Sequence, residues 1–83
     1  IIMKQYKVIV HYTPEFDAYA YARGPCIVTG RMYRTSEFSY DDYEKWKDGV
    51  LIQNALPYLN EGDREFLISG LSPEGFKQLC GDE

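Results

Sequence analysis

The sequence has a single histidine, only two cysteines and no long run of hydrophobic residues. A structural zinc site needs closely spaced cysteine and histidine ligands, and His11 with the distant Cys26 and Cys80 lacks that spacing. The short hydrophobic runs fall far below the ~20 residues of a membrane-spanning helix. We therefore expect no metal, no cofactor and no membrane span. Two free thiols are the favoured state of the cysteines, with one disulfide as the alternative.

The sequence also offers few candidate residues for nucleophilic catalysis. A nucleophile needs a base and an orienting group beside it, and the only histidine, His11, lies on a predicted strand. Cys26 follows Arg23, whose charge could lower the pKa of a thiol, but a buried small side chain is the simpler interpretation. We therefore expect no enzymatic activity and no catalytic residue.

The paired acidic residues are explained by helix formation. Asp41 and Asp42, and Asp63 with Glu65, stand at the starts of predicted helices, where carboxylates cap amides and interact with the helix dipole. A general acid–base role is not needed to explain them. Neither a calcium loop nor a glycine-rich phosphate loop occurs in the sequence.

The composition is that of a folded domain, and the charge differs in sign between the two halves of the chain. The 83 residues are 45% hydrophobic and 16% aromatic, which is typical of one folded domain over 1–83. Residues 1–38 carry five basic and three acidic side chains, a net charge of +2. Residues 39–83 carry four basic and ten acidic side chains, a net charge of −6. This split predicts a weakly basic half and an acidic half that could steer a charged partner.

The N-terminal half has the period-two alternation of strands. Tyr6, Val8 and Val10 share one face of the first strand with Tyr12, and alanines alternate with tyrosines in the second. Gly30 is either a bulge or part of a tight hairpin turn that splits the third strand. The predicted strands are 3–12, 16–22 and 26–38, with turns at 13–15 and 23–25. The two predicted faces of the third strand are Val28, Met32 and Phe38, and Arg31, Tyr33, Thr35 and Glu37.

The C-terminal half has helix start and stop signals. The predicted helices begin at Ser39 as cap, near residue 50, at Asn60 as cap and at Ser72-Pro73, and they end at Gly49, before Pro57 and at Gly70. Phe76, Leu79 and Cys80 are predicted as the buried stripe of the last helix. The fold class is therefore α+β: a small antiparallel sheet of two to four strands, then three or four short helices.

Eight tyrosines and one tryptophan exceed what so small a core can hold. Tyrosine and tryptophan are favoured at protein interfaces, so we predict a protein-binding surface. The alternative is that each tyrosine buries its ring and leaves its hydroxyl in water. The partner-binding residues that we predict are Tyr19, Tyr21, Arg31, Tyr33, Tyr40, Asp41 and Asp42.

Two other interaction types compete with this interpretation. Lys7, His11, Arg31 and Tyr33 could share the outer face of the sheet and bind single-stranded nucleic acid. The isoelectric point near 4.9 argues against direct nucleic-acid binding. An open sheet edge could also pair with a second copy and form a homodimer.

Residues 43–71, YEKWKDGVLIQNALPYLNEGDREFLISGL, resemble a recurrent segment in small proteins of bacteriophages and prophages. The resemblance implies a phage setting and a cytoplasmic location in an infected bacterium, and it brings no activity with it. The residues that carry it are Trp46, Gly49, Leu51, Ile52, Gln53, Ala55, Pro57, Leu59, Arg64, Glu65, Phe66, Leu67, Ser69 and Gly70.

Together these features predict a phage accessory protein that binds a host or phage protein and inhibits a host defence or regulatory factor. The alternative is a nucleic-acid-associated regulator that uses the basic sheet face, as a dimer. Within the resembling segment, we expect Gln53 to satisfy backbone carbonyls. We expect Arg64 to pair with a nearby acid or with a helix end.

Overall fold

Four antiparallel strands precede four helices in the computed structural model, which describes residues 4–15 and 17–80. This confirms the predicted α+β arrangement. The predicted strand starts at residues 3 and 16 lie outside the described residues. The strands are β1 (Lys7–Tyr12), β2 (Ala18–Pro25), β3 (Met32–Arg34) and β4 (Phe38–Ser39). The helices are α1 (Tyr40–Lys47), α2 (Ile52–Ala55), α3 (Glu61–Ser69) and α4 (Pro73–Cys80).

Strand β2 lies at the centre of the sheet. On one side, residues 18–23 of β2 pair with the whole of β1. On the other side it pairs first with β4 and then, further along, with β3. β1 and β3 are each joined to β2 by a short antiparallel connection, and β4 follows β3 in the chain and pairs on the same side of β2.

One face of the sheet packs against the helices and forms the core. Ala20 and Ala22 on β2 are fully buried, and their small side chains let large helical residues approach closely. Tyr6, Val8 and Val10 pack at the margin of this core, as the alternation predicts. The remaining buried residues of the core cluster are Phe38, Ile52, Ala55, Leu56, Leu59, Phe66 and Leu67.

One predicted turn lies inside a strand. The predicted turn at 23–25 belongs to β2, where Gly24 allows a close backbone approach. A Cβ on Gly24 would lie only 2.5 Å from the Cα of Tyr6. Tyr12 shares the face of Val8 and Val10, as predicted, but it is exposed because it lies at the far end of β1.

The turn between β2 and β3 lies at residues 26–31 instead. The amide of Cys26 donates to the Arg31 carbonyl at 2.9 Å, and the amide of Gly30 donates to the Cys26 carbonyl at 2.9 Å. Gly30 has φ +76°, a left-handed conformation that glycine adopts without strain. Of the two alternatives for Gly30, the structure therefore has a hairpin turn, longer than the tight one that we predicted.

This turn changes the face that β3 buries. Tyr33 and Thr35 point into the protein, whereas Val28 and Met32 are exposed. Arg31 and Glu37, which we predicted on the same face as Tyr33 and Thr35, are exposed instead, so that part of the prediction is wrong. A shift of register by one residue exchanges the two faces of a strand. Phe38 is buried and does not share with Val28 and Met32 the face that we predicted, because the chain leaves the sheet at residues 35–37 and returns as β4.

The helix signals are confirmed. The side chains of Ser39, Asn60 and Ser72 accept backbone amides of the first turns of α1, α3 and α4, at 3.3, 2.8 and 3.1 Å. Gly70 ends α3 with φ +81°. The second helix has only four residues, 52–55, and it stops before Pro57 as expected.

The predicted buried stripe of α4 is wrong. Phe76 and Leu79 are 41% and 65% exposed, and Cys80 is exposed as well. The buried residue of α4 is Gly75, where a Cβ would lie 2.3 Å from the Sγ of Cys26. Because α4 docks through this glycine, its apolar side chains face solvent.

The segment before β1 holds the helices α1 and α3 in place. The Nζ of Lys4 and the hydroxyl of Tyr6 donate to the carbonyl of Leu67 near the end of α3, at 3.1 and 2.5 Å. The same Lys4 Nζ lies 5.6 Å from the ring of Trp46 on α1. None of the helices in the described part of the chain is long and apolar enough to cross a bilayer.

Candidate partner-binding surface

The side of the sheet opposite the helices carries basic and aromatic side chains. Side chains alternate between the two faces of a strand, and Ala20 and Ala22 fill the helical side of β2. Their neighbours on β2 therefore point away from the helices, together with the residues that they oppose in register. We call this surface the outer sheet face and define it as Lys7, Ile9, His11, Tyr19, Tyr21, Arg23 and Arg34.

Three cations form a row across the outer sheet face. Lys7 of β1 is paired in register with Arg23 of β2, and Arg23 is paired with Arg34 of β3. Like charges on directly opposed residues repel each other. The Oε2 of Glu37 lies 3.9 Å from Nη2 of Arg34 and is half-exposed, so it neutralises only one end of the row. The row is therefore suited to an anionic group from outside.

Apolar and aromatic side chains lie next to the cation row. Ile9 opposes Tyr21, and His11 opposes Tyr19 with ring centroids 6.2 Å apart. The guanidinium of Arg34 stacks over the ring of Tyr21, with Cζ 3.8 Å from the ring centroid. This cation–π contact joins the cation row to the aromatic part of the outer sheet face.

The predicted partner-binding residues fall in four separate places. Tyr19 and Tyr21 lie on the outer sheet face, as the alternation of the strand predicts. Arg31 lies in the β2–β3 turn and forms an ion pair with Glu74 of α4. The remaining four residues lie either in the core or at the start of α1.

Tyr33 does not share the outer face with Lys7 and His11, and that prediction is wrong. The centroids of the Tyr33 and Phe66 rings lie 4.8 Å apart. The Tyr33 hydroxyl donates to Oδ1 of Asp63 at 2.6 Å. Burial and the neighbouring carboxylate of Asp63 both raise the pKa of Tyr33. Tyr33 is therefore held inside the protein and is not presented to a partner.

Tyr40, Asp41 and Asp42 lie together at the start of α1. Tyr40 stacks on Tyr43 with ring centroids 5.7 Å apart. Asp42 accepts the hydroxyl of Tyr58 at 3.0 Å and pairs with Lys45, while Asp41 is exposed. This acidic group belongs to the helical side of the protein and is not part of the outer sheet face.

Arg23 and Arg34 were missed as site residues. Arg23 continues the alternation of Tyr19 and Tyr21, so a strand extended beyond residue 22 would have placed it on the same face. Arg34 has no such signal, because its position beside Arg23 depends on the pairing of two strands across a turn.

Cys26, considered above as a nucleophile, is buried. Its Sγ accepts the amide of Ser72 at 3.4 Å. Burial acts to raise the pKa of this thiol, but hydrogen bonds from Ser72 and from the backbone of Thr29 and Val28 outweigh it and lower the pKa to about 6. Both cysteines are free thiols, as favoured from the sequence. Within residues 4–15 and 17–80, no group of three His, Cys, Asp or Glu side chains could hold a metal ion.

The chain matches no protein-family model, no curated protein and no solved structure.

Proposed function

We propose that this chain is a binding protein that holds an acidic surface of a partner protein against its outer sheet face. The observation that carries the proposal is the row of Lys7, Arg23 and Arg34 beside Tyr19 and Tyr21. Arginine and tyrosine are the residues that most often dominate the energy of protein interfaces. Carboxylates of a partner would relieve the repulsion within the row and accept paired hydrogen bonds from the arginines.

The phage resemblance supplies the proposed setting. We propose that the partner is a host or phage protein in the cytoplasm of an infected bacterium. Occupation of an acidic surface on a host defence or regulatory factor would block the partners that this factor normally binds. Inhibition would then need no catalytic residue in this chain.

A second candidate function is binding of single-stranded nucleic acid on the same face. Tyrosine rings and arginines on an open sheet can stack bases and contact phosphates, and the stacked Arg34–Tyr21 pair favours this idea. The net charge of −4 opposes it. An extended polyanion would carry further phosphates past the acidic helices, whereas a compact group of carboxylates needs only the cation row.

A capture experiment with matched charge reversals tests the protein-binding proposal. Tagged wild type, Arg23→Glu and Lys77→Glu would each be incubated with lysate of infected bacteria, and the captured proteins would be identified by mass spectrometry. We expect wild type and Lys77→Glu to retain the same partner and Arg23→Glu to lose it. Equal capture by all three proteins would contradict the proposal.

Fluorescence anisotropy with labelled single-stranded DNA and RNA tests the second candidate. We expect no binding at about 50 mM salt, where phosphate contacts are strong. Salt-sensitive binding that Arg23→Glu removes and Lys77→Glu retains would instead favour nucleic acid over an acidic protein.

A further inference from the structure

Helices α2, α3 and α4 leave an open groove of about 600 Å³ on the surface of the helical layer. Ile52 of α2, Ile68 of α3 and Phe76 of α4 supply its apolar lining. Glu61, Arg64 and Glu65 of α3 supply its charged lining. We call this surface the helical groove.

The apolar side chains of the helical groove are largely exposed to solvent. Ile68 is 47% exposed and Phe76 is 41% exposed. Leu79 follows Phe76 by three residues, so both lie on one side of α4. The sequence pattern of α4 is that of a buried helix face, yet the close contact of Gly75 with Cys26 turns this face outward. Adjacent exposed apolar side chains of this kind mark an interaction site.

The charged part of the helical groove carries both signs. Among the described residues, 4–15 and 17–80, Glu61, Arg64 and Glu65 take part in no ion pair. Within the same described residues, the side chain of Arg64 pairs with no acid, in contrast to the pairing that we expected. A partner of one charge sign would satisfy either the arginine or the glutamates, but not both.

A second copy of the chain satisfies both signs at once. In a two-fold symmetric contact the same patch meets itself, so that a pair between residue i of one copy and residue j of the other is formed twice. Arg64 of one copy can then face Glu61 and Glu65 of the other, and the reverse pair forms by symmetry. The apolar residues between them would pack against their own equivalents.

We propose that the chain forms a symmetric homodimer through the helical groove, with Phe76 and Ile68 at its centre and reciprocal Arg64–glutamate pairs at its sides. This surface lies on the helical layer, while the outer sheet face lies on the opposite side of the sheet. The dimer therefore leaves both outer sheet faces open, and it does not depend on the proposed function. It also differs from the dimer through a sheet edge that the sequence suggested.

Sedimentation equilibrium on two matched variants tests the apolar centre. Phe76→Gln removes an aromatic side chain that is 41% exposed in the groove, and Tyr19→Gln removes one that is 39% exposed on the outer sheet face. We expect wild type and Tyr19→Gln to dimerise with equal affinity, and Phe76→Gln to weaken dimerisation by about 30-fold. A wild-type monomer up to millimolar concentration, or a dimer that Phe76→Gln leaves intact, would overturn the proposal.

Reversing the charges of the helical groove tests the reciprocal Arg64–glutamate pairs. Arg64→Glu makes the groove wholly acidic, and the double variant Glu61→Arg/Glu65→Arg makes it wholly basic. We expect each to be monomeric alone, with the circular dichroism spectrum of wild type, and an equimolar mixture to form a heterodimer. A mixture that stays monomeric would overturn the reciprocal pairing.

Discussion

The hydroxyl of Tyr33 donates a 2.6 Å hydrogen bond to Oδ1 of Asp63, which is only 3% exposed. The other carboxylate oxygen, Oδ2, accepts the amide of Ser36 at 2.9 Å. The amide of Asp63 itself donates to the side chain of Asn60, the cap of α3. A buried carboxylate is stable only with such partners. This cluster therefore fastens the end of β3 to the start of α3.

Asp63→Asn should destabilise the protein. The amide nitrogen of asparagine cannot accept a hydrogen bond, so either Tyr33 or Ser36 loses its acceptor inside the protein. We expect the free energy of unfolding in urea to fall by about 1–3 kcal/mol.

Glu44→Gln, a carboxylate-to-amide change at an exposed position of α1 that lies outside both proposed surfaces, provides the control and should stay within about 0.5 kcal/mol of wild type. Tyr33→Phe should lower stability as well, and its effect should not add fully to that of Asp63→Asn, because both remove the same bond. Fully additive effects would show that the two residues act separately.

Arg23→Gln should stabilise the protein. It removes the middle charge of the cation row, and directly opposed like charges destabilise a sheet by roughly 0.2–1 kcal/mol. We expect this gain in the free energy of unfolding at low salt, and a smaller gain at high salt, where charges are screened.

Arg31→Gln provides the control for this gain, because Arg31 is ion-paired with Glu74 and has no place in the row. It should not raise stability. If Arg23→Gln also lowered stability, the row would not be a source of repulsion. If Arg23→Gln raised stability and also failed to capture a partner, the cation row would be a binding surface that destabilises the free protein.

Stability should decline in alkaline solution because of Tyr6 and Tyr33. Burial raises the pKa of both hydroxyls, helped by Tyr43 for Tyr6 and by Asp63 for Tyr33. An unfolded tyrosine releases its proton near pH 10, while the folded protein retains it. The contribution of these groups is therefore complete below about pH 10 and is lost as the pH rises towards the higher folded pKa.

Urea unfolding on both sides of about pH 10, with tyrosinate absorbance recorded in parallel, measures this effect. Tyr6→Phe and Tyr33→Phe should each reduce the slope of unfolding free energy against pH above pH 10 and leave it unchanged below. A wild-type slope in both variants would contradict the assignment.

The two thiols should react at very different rates. Cys80 is exposed, whereas Cys26 is buried beneath α4, so access limits its modification although its pKa is lowered to about 6. We expect one fast and one slow thiol with a colorimetric disulfide reagent. In Cys80→Ser only the slow thiol should remain, and its rate should rise with urea as the structure opens. Equal rates for both thiols would mean that α4 does not cover Cys26.

The parts of the fold that depend on neighbouring residues could be predicted from the sequence. Asn60, Ser72-Pro73 and Gly70 mark helix ends through bonds to residues three or four positions away, so the pattern is sufficient. The outward position of Tyr19 and Tyr21 follows in the same way from alternation.

The parts that depend on distant residues could not be predicted. Tyr33 is buried because a turn that begins at Cys26 sets the register of β3, and Phe76 is exposed because Gly75 meets Cys26 across the fold. The alignment of Arg23 with Arg34 likewise needs the pairing of β2 with β3. Burial and cross-strand contact are properties of the assembled sheet and are not visible in local spacing.

The intrinsic fluorescence of the protein comes mainly from its single tryptophan, Trp46. The indole packs edge-on against the ring of Tyr43, with ring centroids 5.8 Å apart. The Nζ of Lys4 lies 5.6 Å from the centroid of the indole. Since Lys4 also contacts the end of α3, the emission of Trp46 would change when α1 leaves the segment before β1. The indole lies on the helical side of the sheet, remote from the cation row. Its fluorescence would therefore follow the folding of the domain, and a label on the outer strands would be needed to follow its partners.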